Sequence, residues 1–298
     1  MKILITGSNG LLGQKLVQLL VQQTGVELLA TAVGPNRLHD TSGYTYCSMD
    51  ITKPSEINAV FEQFKPSHVI HTAAMTNVDQ CEEDPEGCEL LNVKAVEYLI
   101  DACRAHGSFL CHLSTDFIFD GEAGPYTEEG IPNPVSVYGE SKLKAEQLVE
   151  NSGLEWSIAR TILVYGIVSD MSRTNIILWV KKSLEDGKEI KVVTDQFRSP
   201  TLAEDLAMGC WLIVQSNAKG IFNISGKETL TPYEMALKTA EFFNLDKSLI
   251  HKADSSTFTQ KAKRPARTGF IITKAEKLLG YQPHSFEEGI RVVAEQMR

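Results

Sequence analysis

The chain opens with a short apolar run, Lys2 to Thr6, that passes at once into Gly7-Ser8-Asn9-Gly10-Leu11-Leu12-Gly13 and then into a stretch carrying Leu16, Leu19 and Leu20. No other feature limits the fold as strongly. The first N–H groups of a helix have no partner within it and lie at the positive end of its dipole, so strand, glycine turn and helix in this order make a phosphate site. Gly7 permits the tight turn, Gly10 lets the backbone approach a pyrophosphate, and Gly13 lets helix and strand pack closely. Asn9 and Leu11 fall inside the same turn and are expected to meet the cofactor with them. Placed directly after an N-terminal strand, the turn predicts a dinucleotide-binding unit.

The following residues repeat the pattern. Residues 26–33 read as a second strand, where an NAD-selective site usually ends in Asp or Glu. Here the place reads Val33-Gly34-Pro35-Asn36-Arg37, with no acid and a nearby arginine. That leans toward NADPH, with Arg37 on the extra phosphate, although a solvated loop arginine would look the same. Residues 44–49 read as a third strand ending at Asp50-Ile51, where Asp50 would meet an adenine amino group or cap the next helix. A helix over 54–64 and a strand over 68–71 lead to the small residues Thr72-Ala73-Ala74-Met75-Thr76. At a strand's carboxyl end, Ala73, Ala74 and Thr76 would let a cofactor lie against the backbone, unless they serve close packing alone.

The acidic run Glu82 to Glu86 reads as a solvated face. A long helix through Leu90 and Leu99 carries Asn92 near its start, able to bridge a helix carbonyl to the site or to be an ordinary helical Asn. Residues 109–113 form a strand that delivers Ser114 and Thr115, and the helix after Asn133-Pro134 carries Tyr138 and Lys142 to about residue 150. A sixth strand covers 156–164. The order βαβαβ, repeated, predicts an α/β fold built on a doubly wound parallel Rossmann sheet. Past Gly166 the regularity loosens. Residues 202–214 and 220–225 read as a helix and strand returning to the main sheet. The expected division is a cofactor domain of 1–166 plus about 201–227, interleaved with a smaller substrate domain of about 167–200 plus 228–298, the site lying between them.

Positions i and i+4 share a helix face, so Tyr138 and Lys142 project together. Alone they could be a surface pair. Behind a glycine turn, and with Ser114-Thr115 at a strand end, they read as a carbonyl-reducing centre. Tyr138 would give a proton, Lys142 would lower the phenol's pKa from about 10 and hold the nicotinamide ribose, and Thr115 would orient the substrate oxygen. The basic loop Lys261 to Arg267 stands out in a chain of net charge −9. Arg264, Arg267 and Arg198 offer forks for a diphosphate, or solvated charges.

These residues resemble the extended short-chain dehydrogenase/reductases, and within them the dTDP-4-dehydrorhamnose reductase group. The Ser114 to Gly121 segment is similar to that group's STDYVFDG, Val137 to Leu143 to its VYGxxKL, Asp195 to Thr201 to its DQxGxPT, and Arg264-Pro265 to its RP. The resemblance implies NADPH-dependent reduction of a 4-keto nucleotide sugar, NADH also serving some members. It implies Thr115, Tyr138 and Lys142 as catalytic, and Asp116, Phe117, Asn175, Arg198 and Arg264 as substrate-binding. Some members are Mg2+-dependent homodimers, so both properties are open here, with no metal-ligating residue assigned. Phe117 stands where the group has tyrosine, Arg198 where it has glycine, and Ile162-Leu163 where it has Ser-Trp. These adjoin the expected sugar pocket and leave open a reductase or epimerase for a different sugar nucleotide. A non-catalytic NADP-binding regulatory subunit, like that of methionine adenosyltransferase, is the alternative from another class.

Charge and composition exclude some partners. An acidic chain with pI near 5.4 is a poor ligand for nucleic acid or anionic membranes. No apolar run approaches the roughly 20 residues of a membrane span, and the start is too short for a signal peptide's apolar region. Six scattered cysteines read as buried thiols of a reducing compartment. A cytoplasmic enzyme is the expectation.

Overall fold

Seven parallel strands form one sheet, and their order explains where a ligand can sit. In the computed structural model, which describes residues 1–169, 174–258 and 261–297, the strands are β1 (Lys2–Thr6), β2 (Glu27–Ala32), β3 (Thr45–Ser48), β4 (His68–His71), β5 (Phe109–Thr115) and β6 (Trp156–Thr161). Short strands β7 (Val164–Tyr165), β8 (Ile190–Val193) and β9 (Thr201–Leu202) follow, then β10 (Gly220–Asn223), which rejoins the main sheet, and β11 (Ile250–Ala253). The main sheet runs β10-β6-β5-β4-β1-β2-β3. The chain therefore winds outward one way from β1, returns to β4, and winds the other way. The crevice at the carboxyl ends of β1 and β4 is the switch point at which such sheets take ligands.

Helices cover both faces because each central strand is apolar on both sides. In β1, Ile3 and Ile5 face one core while Leu4 faces the other. Helix α1 (Leu11–Leu20) sets Leu16, Val17 and Leu20 into the first core. Helices α2 (Pro54–Phe64), α3 (Val78–Glu83), α4 (Pro85–Glu89), α5 (Ala95–His106) and α6 (Val137–Glu150) follow. Of these, α2, α5 and α6 build the second core with Ile57, Leu99 and Ala145. Next come α7 (Ile176–Glu185) and α8 (Ala203–Ser216), the latter packing Leu206 and Cys210 beside α1. Helices α9 (Pro232–Phe242), α10 (Thr273–Leu279) and α11 (Phe286–Gln296) complete the chain.

Beyond β7 a smaller lobe forms. β8 pairs in parallel with β11, and Val180, Leu184, Ile190, Val192, Ala236 and Ile250 share a separate core. Phe270, Ile272, Ala275 and Tyr281, by contrast, pack into the core on the α1 and α8 face.

Some expectations need correction. The single helix expected through Leu90 is broken into α4, a π-helical turn over Leu90–Lys94, and α5. The wide turn carries Asn92, whose amide donates to Met75 O at 3.0 Å and Ser141 Oγ at 3.0 Å while its oxygen accepts from Met75 N. Asn92 thus joins the exit of β4 to α6. The acidic run is not merely a solvated face either: Glu82 accepts from Val137 N at the start of α6, and Glu83 pairs with Lys261. The sixth strand stops at Thr161, because Leu163 adopts a left-handed φ of 39°. Five of the six cysteines are buried and all are free.

Candidate active site

A cleft of about 830 Å³ opens over the carboxyl ends of β1, β4 and β5. Its cofactor end is the glycine turn. Gly7 has φ +73°, and a Cβ there would lie 2.8 Å from Ala73 N. Gly10 N donates to Gly7 O at 3.0 Å, and Gln14 N to Gly10 O at 2.9 Å, so the intrahelical ladder begins only at Gln14. Gly10 caps α1 with no side-chain hydrogen bond and no acidic residue follows in the first turn. The first N–H groups of α1 therefore face a cleft lined by Gly7, Asn9, Gly10, Leu11 and Gly13. Free helix donors, positive dipole end and absent Cβ atoms fit a dinucleotide's pyrophosphate.

Asn9 does more than line the turn. Its amide donates to Pro35 O at 2.9 Å and its oxygen accepts from Arg37 N at 2.9 Å. It pins the loop after β2 against the glycine turn, bringing Arg37 and the exposed Val33 to the cleft. Ile51, Ala73, Ala74 and Thr76 line the same end. Asp50 lines it too but does not cap α2, whose N-cap is Lys53. Its carboxylate accepts from Thr52 N at 2.9 Å and Thr52 Oγ1 at 2.7 Å. Burial raises its pKa, but those hydrogen bonds and Lys53 outweigh it, leaving the group below its usual value.

The middle of the cleft holds Thr115, Tyr138 and Lys142 together, from β5 and α6. Thr115 Oγ1 donates to Asp116 Oδ1 at 3.1 Å and accepts from Phe117 N at 3.3 Å. The Tyr138 ring meets Phe117 edge-on, centroids 5.6 Å apart. One expectation is overturned here. The Tyr138 phenol is pushed above its ordinary pKa rather than below it: burial dominates, a hydrogen bond with Thr115 opposes, and Asp116 adds to the rise. The Lys142 ammonium instead turns to β5, donating to Leu113 O at 2.7 Å with Nζ 3.2 Å from His112 Nε2. Burial brings Lys142 down to about 8, against the opposing charge of Glu146.

The substrate side is more committed than the sequence implied. Arg198 is buried, and it donates to Ala266 O at 3.1 Å and Pro265 O at 2.6 Å, with Nε 4.0 Å from Asp116 Oδ2. Asp116 also accepts from Thr268 Oγ1 at 2.5 Å. Burial raises its carboxyl, with Arg198 and Thr268 opposing. Arg264 grips both oxygens of Asp79 on α3, at 3.3 and 2.8 Å. Asn175 caps α7 through Leu178 N at 3.1 Å and donates to Gly166 O at 2.8 Å. Asp116, Phe117 and Asn175 line the cleft; Arg198 and Arg264 are not among its described lining residues. Among the described residues no group of three or more His, Cys, Asp or Glu side chains could hold a metal ion, and no helix is long and apolar enough to cross a membrane.

Sequence reasoning missed His71 and His112, buried beside Lys142. The alternation of β4 and β5 could have placed them on one face, but not against a lysine from α6. Ser114, which the sequence set at the strand end without a role of its own, has its Oγ buried, lining the cleft and without a hydrogen-bond partner among the described residues.

The whole chain, residues 1–298, matches the RmlD substrate binding domain family. It is 29% identical over 302 residues to a dTDP-4-dehydrorhamnose reductase of Aggregatibacter actinomycetemcomitans, covering 97% of each chain. It is 30% identical over 295 residues to the methionine adenosyltransferase 2 subunit beta of Xenopus tropicalis, covering 97% of this chain and 86% of that protein. Its structure is similar to that of dTDP-4-dehydrorhamnose reductase from Bacillus anthracis in complex with NADP, with a TM-score of 0.84, 26% identity and 99% of each chain covered.

Proposed function

From the chain's membership of the RmlD substrate binding domain family, to which it belongs within the extended short-chain dehydrogenase/reductases, we propose that it uses NADPH to reduce the 4-keto group of a nucleotide sugar, most like dTDP-4-dehydrorhamnose in the formation of dTDP-L-rhamnose. It is an NAD(P)-dependent oxidoreductase. The observation that carries the finer reading is one continuous cleft, lined at one end by Gly7 to Gly13 and in the middle by Thr115, Tyr138 and Lys142. NADPH is preferred over NADH because no acid ends β2 and Arg37 reaches the cleft there.

A bound reduced nicotinamide supplies the hydride. The chain's own residues handle the oxygen. Tyr138, kept protonated by burial, gives its proton to the carbonyl oxygen as charge develops there. Thr115 turns its hydroxyl from Asp116 toward that oxygen and fixes its position. Lys142 keeps a positive charge one helical turn from the phenolate that results, and its remaining N–H meets the nicotinamide ribose. Thr115, Tyr138 and Lys142 are the catalytic residues of this reading. Phe117 packs on the phenol and forms one wall of the sugar site, with Asp116 and Asn175 nearby. Arg264 would release Asp79 to take a diphosphate. We place the enzyme in the cytoplasm, where NADPH and nucleotide sugars meet.

The test is turnover on a panel of 4-keto nucleotide sugars, with NADPH and NADH compared. NADPH oxidation with a 4-keto substrate and formation of the 4-hydroxy product support the reading. Tight NADP binding with no turnover, and co-purification with a methionine adenosyltransferase catalytic subunit, would favour the second reading. That reading, a regulatory subunit, draws on the similarity to the Xenopus tropicalis protein.

A further inference from the structure

One row of polar side chains crosses the α2 and α5 face of the sheet at the floor of the cleft, which His71 lines. Thr31 lies opposite Thr6 in β1, Thr6 opposite His71 in β4, and His71 opposite His112 in β5. One layer further from the cleft the same face carries Leu29, Leu4, Val69 and Leu110. Thr31, Thr6, His71 and His112 are at most 2% exposed. Buried polar groups need partners: Thr31 donates to Ile5 O at 2.9 Å, and the other three side chains find theirs along the row.

The row ends at Lys142. His71 Nδ1 is 2.7 Å from Thr6 Oγ1, the His71 and His112 ring centroids are 5.2 Å apart, and His112 Nε2 is 3.2 Å from Lys142 Nζ. His112 Nδ1 has no partner among the described residues. We propose that His112 is the positioning residue for Lys142: its Nε2 accepts a hydrogen bond from the ammonium, which with Leu113 O fixes two of the three N–H donors and aims the third at the cofactor ribose. This rests on the proposed use of NADPH and adds a residue that acts only through Lys142.

The electrostatics agree with that geometry. The groups facing the ammonium are Glu146 on its own helix, Cys88 from α4, His112 from β5 and His71 from β4. Burial, then the Lys142 charge, holds both imidazoles neutral, His71 down to about 3 and His112 also well below its ordinary value. A neutral His112 that accepts at Nε2 must carry its proton on Nδ1, the atom left unpartnered. An unsatisfied buried donor is unfavourable. The fold tolerates this, and in return the lysine keeps an acceptor.

The test uses the full chain. His112→Phe keeps a ring and removes the acceptor; His112→Gln restores an acceptor oxygen. A hydrogen bond to a charged group contributes about 1.5–3 kcal/mol, so His112→Phe should weaken NADPH binding and lower kcat by about tenfold or more. KM for the nucleotide sugar should stay within about twofold, because His112 does not reach the sugar, and His112→Gln should recover most of both losses. Long-range 15N–1H correlation spectra of the unliganded wild-type protein should show His112 as the Nδ1–H tautomer at neutral pH. An Nε2–H tautomer overturns the proposal whether or not the variants fold. So does His112→Phe binding NADPH like wild type, or His112→Gln failing as His112→Phe does. If wild type turns over no 4-keto sugar, the proposed function falls, while tautomer and NADPH affinity still decide this role.

Discussion

Two glycines three residues apart in the same turn are predicted to fail in different ways when each becomes alanine. At Gly13 a Cβ would lie 2.3 Å from Gly7 O and 2.6 Å from Ser8 Cα, both backbone atoms that cannot swing aside. Overpacking of this kind costs about 1–3 kcal/mol. At roughly 2–4 °C per kcal/mol for a chain of this class, Gly13→Ala should lower Tm by about 2–12 °C. At Gly10 the nearest atom to a Cβ is Gly7 O at 3.3 Å, and the backbone is extended at φ −81° and ψ 173°. Alanine is a poorer N-cap than glycine by several tenths of a kcal/mol or more, but it also narrows the unfolded ensemble by about 0.4–1 kcal/mol. The two nearly cancel, so Gly10→Ala should melt close to wild type. Its methyl group nevertheless stands between the pyrophosphate and the free N–H groups of α1. Losing one hydrogen bond to a charged group, at about 1.5–3 kcal/mol, weakens NADPH binding by roughly 10- to 150-fold. Fluorescence titration with NADPH, beside thermal melts with and without it, separates the two. Gly10→Ala binding NADPH as wild type does would refute the turn as the pyrophosphate cradle, and Gly13→Ala melting as wild type does would refute the close packing at Gly13.

With Lys142 brought down to about 8, kcat for reduction should be level near neutral pH and fall as pH rises through about 8, because the ammonium is lost; a pH–rate profile level to pH 10 contradicts this. Glu146 binds Arg160 through Nε at 3.0 Å and a terminal nitrogen at 2.7 Å, both side chains at most 3% exposed. Glu146→Gln leaves a buried guanidinium uncompensated, which costs about 3–5 kcal/mol. The melt should show that loss, and the fall in kcat should move to lower pH, since the Glu146 charge supports the Lys142 ammonium. Arg264 and Asp79 are partly exposed, so their pair adds only about 0–1 kcal/mol. Arg264→Ala should barely change Tm yet raise KM for the nucleotide sugar by about tenfold through a lost charged hydrogen bond; an unchanged KM leaves Arg264 as a tie to α3 alone.

Sequence patterns revealed what depends on neighbours along the chain. The strand and glycine turn over residues 2–13 follow from local spacing, and so does the shared face of Tyr138 and Lys142. The parallel sheet follows from alternating elements. What the pattern could not show depends on the register between distant segments. Lys142 has two directions open to it. It turns from the phenol because pairing of β4 with β5 sets His112 and the Leu113 carbonyl beneath it. Arg198 and Arg264 look like open forks in the sequence, yet one ties loop carbonyls beside Asp116 and the other holds Asp79, some 185 residues away. Asp50 offered an adenine partner or a helix cap; the cap fell to Lys53, and a local turn through Thr52 holds the Asp50 carboxylate at the lining of the cleft. The π-helical turn at Leu90–Lys94 likewise follows from a tertiary bond, the reach of Asn92 to Met75 and Ser141.

The central claim is that the Tyr138 phenol supplies the proton for carbonyl reduction beside a nicotinamide. Replacing it with phenylalanine removes one oxygen from a buried ring that packs against Phe117. General acid work of this kind contributes typically about 10²–10⁴-fold. Single-turnover oxidation of NADPH with a 4-keto nucleotide sugar, measured for wild type and Tyr138→Phe alongside NADPH affinity, is the most direct test. Tyr138→Phe should lower the rate by at least about a hundredfold with cofactor affinity held within about twofold. A Tyr138→Phe protein that oxidises NADPH as fast as wild type would contradict it.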